Sequence, residues 1–279
     1  MFSAIQLSIL TVALAAAPVF AAERHDAIDR VFERMYNFDF AGAHAILDQQ
    51  QRLYPDWALT HSVRAGALLF GELDRLRILQ TDFFMDDNSL TEKKRLKPDP
   101  EARQRLFAAT AEARRLAGLR LAKEPWDRDA MFAMCMATGI ETDYTMLVEK
   151  RYFRSFSLSR ESQMYARRLL SLKPPDYDAH LTLGTTEYVV GSMNFFFRLF
   201  VRFDKIEGSK DQALDHLNEV VEHGRYFPAL AKILLAVIHL REKRPAIALN
   251  LLTELSRDYP ENQLFRNEVK RVRLLTGKN

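Results

Sequence analysis

The chain has one cysteine, Cys135, and only ten glycines and ten prolines in 279 residues. A single thiol excludes an internal disulfide framework and any site built on several cysteine ligands. Glycine and proline together make up about 7% of the chain, against a usual share of roughly 12%. That scarcity excludes collagen-like and Pro/Gly-rich disordered chains. It also argues against small β-sandwiches, which need turn residues every 8 to 12 positions or so, roughly once per strand. A strong charge of one sign is missing too. The 40 basic and 37 acidic groups leave a formal +3, which provides no broad electrostatic footprint for nucleic acid. No glycine-rich phosphate loop, Gly-x-Ser-x-Gly elbow or His-Glu-x-x-His pair occurs. Apolar side chains are plentiful, at 48% of residues, which suffices for a sizeable core in one large domain or two ordinary ones.

Residues 1–21 contain no Lys, Arg, Asp or Glu, and Ala4 to Ala17 form a short apolar stretch that stops at Pro18. Val19-Phe20-Ala21 places small residues where a signal peptidase reads them, so 1–21 is expected to be a secretory signal and 22–279 the mature helical domain. The protein is then exported, to the periplasm or another part of the cell envelope. The alternative is a retained N-terminal membrane anchor, a case weakened by Gln6, Ser8, Thr11 and Pro18.

Four segments end in proline and carry a small residue twelve positions earlier: Ala43 before Pro55, Ala113 before Pro125, Ser162 before Pro174 and Ala248 before Pro260. Ala65, Cys135 and Gly184 stand ten positions after three of these prolines. A small side chain in mid-helix lets a neighbouring helix approach closely, and proline stops a helix because it has no N–H to donate. The pattern predicts an all-α solenoid of stacked antiparallel helical hairpins. These features resemble the tetratricopeptide repeat. Leu235-Ala236, Ala248, Leu252 and Pro260 match its core positions over 229–260, and Asp178 to Gly184 look like the opening of a first helix. The proline intervals are 70, 49 and 86 rather than the family's 34, so extra chain is expected at 86–100, 141–157 and 191–207.

About twelve helices are predicted, at 25–36, 40–54, 57–80, 101–123, 127–141, 146–154, 158–172, 177–190, 193–205, 209–223, 226–242 and 244–258, with a closing thirteenth at 261–275. In 209–223, Ala213, Leu214, Leu217, Val220 and Val221 fall on one stripe, as an amphipathic helix requires. Lys270, Arg271 and Arg273 are expected to form a polar cap on the end of the array.

The least ordinary stretch is 193–205. Phe195, Phe196, Phe197, Leu199, Phe200, Val201 and Phe203 surround a narrow stripe of Arg198, Arg202 and Lys205. Two readings stay open: a helix wedged between its neighbours, or a basic amphipathic segment lying on a membrane or gripping an apolar partner. With Gly191-Ser192 before it, and Gly208 to Asp211 and Ala213 to Val221 after it, this part is similar to the tetratricopeptide repeat protein 39 family. That resemblance implies shared architecture and no catalytic residues.

Candidate chemistry is sparse. His216, Glu219 and His223 could share a helical edge as metal ligands, but polar residues are expected beside an apolar stripe in any case. Asp86-Asp87-Asn88 has the start of a calcium loop without its glycine or its final acid. Cys135, between two methionines, reads as a packed and inert thiol. Trp57, Trp126 and Tyr177 are expected to pack the entrances of helices, with a groove-lining role as the alternative. Additions to repeats tend to map to one face, often the binding one, which directs attention to Glu141 to Tyr144 and Glu149 to Tyr152.

The resulting expectation is a non-catalytic scaffold that binds another protein or peptide in its helical groove, with no cofactor, metal, nucleic acid or small-molecule substrate. Candidate contacts for a partner or a peripheral membrane surface are Tyr144, Tyr152, Asn194, Phe196, Arg198, Phe200 and Arg202. A membrane-surface protein using 193–205 and an unrecognised metal-dependent enzyme are the alternatives.

Overall fold

The structure, a computed structural model, describes residues 23–85, 96–192 and 209–277. The expected signal at 1–21, the calcium-like start at Asp86 and the candidate contacts Asn194, Phe196, Arg198, Phe200 and Arg202 lie outside these residues.

Every regular element among the described residues is helical. In chain order they are α1 (23–36), α2 (Phe40–Leu53), α3 (Ala58–Arg75), the short α4 (Thr81–Met85), α5 (Pro100–Lys123), α6 (Arg128–Asp143) and α7 (Tyr152–Leu170). They continue with α8 (His180–Ser192), α9 (Lys210–His223), α10 (Pro228–Arg241), α11 (Pro245–Asp258) and α12 (Gln263–Leu275). Side-chain caps open several of them. Asp39 accepts from the Gly42 N–H, Asp99 from Glu101, Asp127 from Ala130, and Asn262 from Leu264 and Phe265. Pro100, Pro228 and Pro245 sit in first turns, where the missing N–H costs nothing.

Three expected helices are redrawn. The segment 57–80 stops at Arg75 because Arg77 adopts a left-handed φ of 57°. The Ile78 N–H bonds to the Leu73 carbonyl and that of Arg77 to Asp74, a Schellman closure made without glycine. Phe38 and Lys243 close α1 and α10 in the same way. The predicted pair 146–154 and 158–172 is instead a π-helical turn at Tyr144–Val148 followed by the single helix α7. In that turn the Glu149 N–H reaches back five residues to the Tyr144 carbonyl.

Sequential helices pack side by side from α2 to α3, from α5 through α9 in order, and on to α12, with α3 against both α5 and α6. The small residues do what their spacing implies. Ala43, Ala65, Ala113, Ala213 and Ala248 are fully buried. Where α6 crosses α7, the Ser162 hydroxyl donates to the Cys135 carbonyl at 2.9 Å. Where α8 crosses α9, a Cβ placed on Gly184 would stand 3.1 Å from the Ala213 carbonyl oxygen and 3.1 Å from Leu217 Cγ.

The stack is more than a row of nearest-neighbour contacts. Helix α1 lies across it and buries Ile28, Val31, Phe32, Met35 and Tyr36. Phe32 stacks on Tyr226 and meets Phe227 edge-on, and Phe132 of α6 joins the same aromatic cluster. The Tyr36 hydroxyl donates to the Tyr226 carbonyl, and the Asn262 amide donates to the Tyr36 carbonyl at 2.7 Å. Arg225 reaches Asp26 and Asp29 of α1. A second tie joins α4 to the far end of the chain. Thr81 bonds buried Glu268, Asp82 pairs with Arg271 at 2.5 Å, and Arg241 donates to the Phe84 carbonyl. Arg271, expected in a solvated cap, is therefore part of an internal contact, while Lys270 and Arg273 remain exposed. One contiguous apolar core runs from Ile28 to Val272 as a result.

The helix crossings set the sign of two glycine substitutions. Gly118 has open space around its Cβ position, so Gly118→Ala should stabilise the chain by roughly 0.5–1 kcal/mol through helix propensity. Gly184→Ala should destabilise it by about 1–3 kcal/mol, because a backbone oxygen blocks the new methyl. Urea unfolding of the two variants measures both; stabilisation by Gly184→Ala would refute the close α8–α9 crossing.

Candidate functional site

Helix α1 leaves part of the surface it packs on uncovered. Beyond Phe32, Met35 and Tyr36 lies a partly open cavity of about 140 Å³, walled by α3, α6, the π turn, α7, α8 and the start of α10. Its apolar wall includes Phe70, Phe132, Met136, Ile140, Met146 and Phe156. The hydroxyls of Thr142, Ser155, Ser159, Ser162, Thr182 and Thr186 also line it. Their positions follow from helical spacing: residues three, four or seven apart on α6, α7 and α8 repeat on one face. On α7, Ser162 faces α6 at Cys135, while Ser159 faces α8 and meets Thr186 at 3.3 Å.

Asp143, the last residue of α6, also lines the cavity. Its side chain is partly buried and keeps some accessible surface at the cavity. Among the described residues no cation or hydrogen-bond donor is paired with it. Burial alone therefore pushes its carboxyl up to about 7, since nothing compensates the charged form. Asp178 shares the cavity wall but is differently placed: it accepts the backbone N–H groups of Arg225, Tyr226 and Phe227 at 2.9–3.1 Å and ties α8 to the start of α10. Burial raises its carboxyl to about 6 despite those bonds.

Of the candidate contacts, Tyr144 is fully buried against Phe107, and burial raises its phenol to about 12. In this structure it is a core residue with no exposed surface, its ring near α5 and the end of α3. Tyr152 is partly buried beside Phe156 and Val190, in a small apolar cluster at the same end of α7 and α8. Neighbouring Phe153 is 74% exposed. Cys135 is buried, donates its thiol to the Ser162 carbonyl at 3.5 Å, and has its thiol raised by desolvation, which suppresses the thiolate. Trp57 packs under α1 and donates to Asp129 at 2.9 Å. Trp126 is 60% exposed and is covered on one face by the Arg168 guanidinium.

The His216, Glu219, His223 edge does not converge on one point, although Glu219 and His223 lie 3.9 Å apart. His216 faces His180 of α8, Nδ1 to Nδ1 at 2.5 Å, and Glu187 at 3.6 Å, while His223 lies against Tyr177. Among the described residues no three His, Cys, Asp or Glu side chains converge as a metal-holding group. A second polar chain, Asp129 to His25 to Tyr226, has the order of a catalytic relay. Its tyrosine, however, is buried and its ionisation strongly opposed, first by desolvation. Burial works against the charge on Asp129, but His25, Trp57 and Arg24 outweigh it and hold that carboxyl below its usual range. The relay thus ties α1 to α3, α6 and α10.

His25, His180 and the cavity could not be found from local spacing, since their partners lie 36 to 201 residues away. Among the described residues no helix is long and apolar enough to cross a membrane. Comparison with family models, with curated proteins and with solved structures finds no match.

The isolated carboxyl has a measurable signature. With a folded value near 7 and an unfolded value of roughly 3.9, Asp143 binds more protons folded than unfolded between those limits. Stability is then lost as pH rises from about 4 to about 7, by at most roughly 4 kcal/mol at 1.36 kcal/mol per unit. Asp143→Asn should therefore stabilise the chain at pH 8 by on the order of 1–3 kcal/mol and change little at pH 4. Equal effects at both values would show that the carboxyl is solvated.

Proposed function

We propose that this chain is an exported helical-repeat protein, related in architecture to the tetratricopeptide repeats, that binds a segment of another polypeptide on the surface that α1 packs on. One observation carries the reading: that surface already holds one amphipathic helix, α1, and continues past it as an apolar cavity that no described side chain fills. The chemistry that seats Phe32, Met35 and Tyr36 suits a second apolar segment, and the wall is preformed on five helices and the π turn, which limits the entropy lost on binding. Export rests on the uncharged, apolar 1–21 and its Val-Phe-Ala end.

Two measurements test this reading. A displayed peptide library panned against the full chain should enrich aromatic or aliphatic segments. Thr185→Phe, which pushes a ring into the cavity from α8, should weaken their binding by about tenfold or more, the worth of one displaced apolar side chain. Selection of the same peptides by the filled variant would place binding elsewhere. N-terminal sequencing of the protein from a cell-envelope fraction should read Ala22 first; an intact Met1 there would contradict the cleaved signal.

A further inference from the structure

Four of the hydroxyls that line the cavity are already committed as donors within its wall. Thr142 donates its hydroxyl hydrogen to the Thr138 carbonyl at 2.8 Å, Thr186 to Thr182 at 2.8 Å, Ser155 to Tyr152 at 2.7 Å and Ser162 to Cys135 at 2.9 Å. Each of these oxygens keeps lone pairs but has no hydrogen left to offer. Asp143, when ionised, is acceptor-only as well. An occupant that brings acceptors, such as a carboxylate, a phosphate or a carbonyl-rich turn, would find nothing to donate to it from these groups. An occupant that brings only donors and a positive charge would find a carboxylate with no other counter-ion among the described residues. The remaining wall is apolar and rich in methionine, with Met35, Met136 and Met146 beside Ile140. Such flexible, polarisable side chains accommodate an unbranched alkyl chain.

We propose that the cavity receives a lysine side chain of the bound segment, its ammonium paired with Asp143 and its alkyl stem laid along the methionine wall. This rests on the reading of the surface that α1 packs on as a polypeptide-binding one. Lysine fits better than arginine: a guanidinium carries five donors in a fixed plane and needs a matching fork of acceptors, whereas an ammonium is a compact charge with three rotatable donors on an aliphatic stem. A volume of about 140 Å³ holds several waters or one long side chain, and not a folded element. The ion pair forms in a site partly shielded from bulk water, so removing either partner should matter more than it would on the open surface.

Peptide selection against the full chain, repeated with Asp143→Asn and with n-hexylamine and 1-hexanol as small-molecule probes, tests the proposal. Folding of the variant is checked by circular dichroism. The expected result is enrichment of one lysine flanked by apolar residues, loss of that enrichment in Asp143→Asn, and a preference of about tenfold or more for hexylamine over hexanol that the variant abolishes. Enrichment of apolar peptides without a basic residue would overturn the lysine assignment and leave the polypeptide-binding reading standing. Asp143-dependent binding of hexylamine with no peptide enriched would overturn both, and would make a free alkylamine the occupant.

Discussion

Burial of α1 against several non-adjacent helices of the stack is the contact on which the rest of the structure depends. A row of helical hairpins has only nearest-neighbour interfaces, so its stability is approximately a sum of local terms and its ends are free to open. Here one amphipathic helix touches α3, α6, the start of α10 and the N-cap of α12 together, through Met35, Phe32, Tyr36 and their partners. Burying large side chains such as Phe32 and Met35 contributes about 1.5–3 kcal/mol each, and a quasi-linear array becomes one cooperative body. The polar ties at Asp129, Arg225 and Asn262 set the register of that burial. Arg271 to Asp82 adds a second closure on the α4 side.

Closure also determines where a binding surface remains. The inner side of a helical solenoid is normally its longest concave surface. In this chain α1 fills the surface bordered by Trp57, Phe132 and Tyr226, and what is left is the shorter cavity between α3, α6, α7 and α8. The π turn at Tyr144–Val148 shapes that remainder. By adding chain after α6 it turns Tyr144 into the core and leaves Asp143 at the cavity wall. Irregular turns of this kind are frequent at functional sites, and here it holds a carboxyl in apolar surroundings that disfavour its charge.

Legibility in the sequence followed the range of the interactions. The hairpins are readable because the prolines and the small residues Ala43, Ala113, Ser162 and Ala248 act within one unit, and all four are buried. The break after Arg75 was not readable, because Arg77, like Phe38 and Lys243, adopts a left-handed turn without being glycine, so no composition signal marks it. The extra chain around 141–157 is legible as an excess over the repeat length, but the shape it takes is not. Periodicity cannot foresee that a π turn buries Tyr144 and places Asp143 on a cavity wall. The course of α1 was equally hidden. Its partners Asp129, Tyr226 and Asn262 lie more than a hundred residues away, and a stripe of buried residues does not say what it is buried against.

Amide hydrogen exchange resolved by residue tests the closure most directly. If α1 is the strut that joins the ends, the amides of Val31 to Tyr36 should exchange as slowly as those of α6 and α10, all limited by global unfolding. If those amides instead exchange orders of magnitude faster than α6, in the manner of a frayed terminal helix, then α1 is not the element that closes the array.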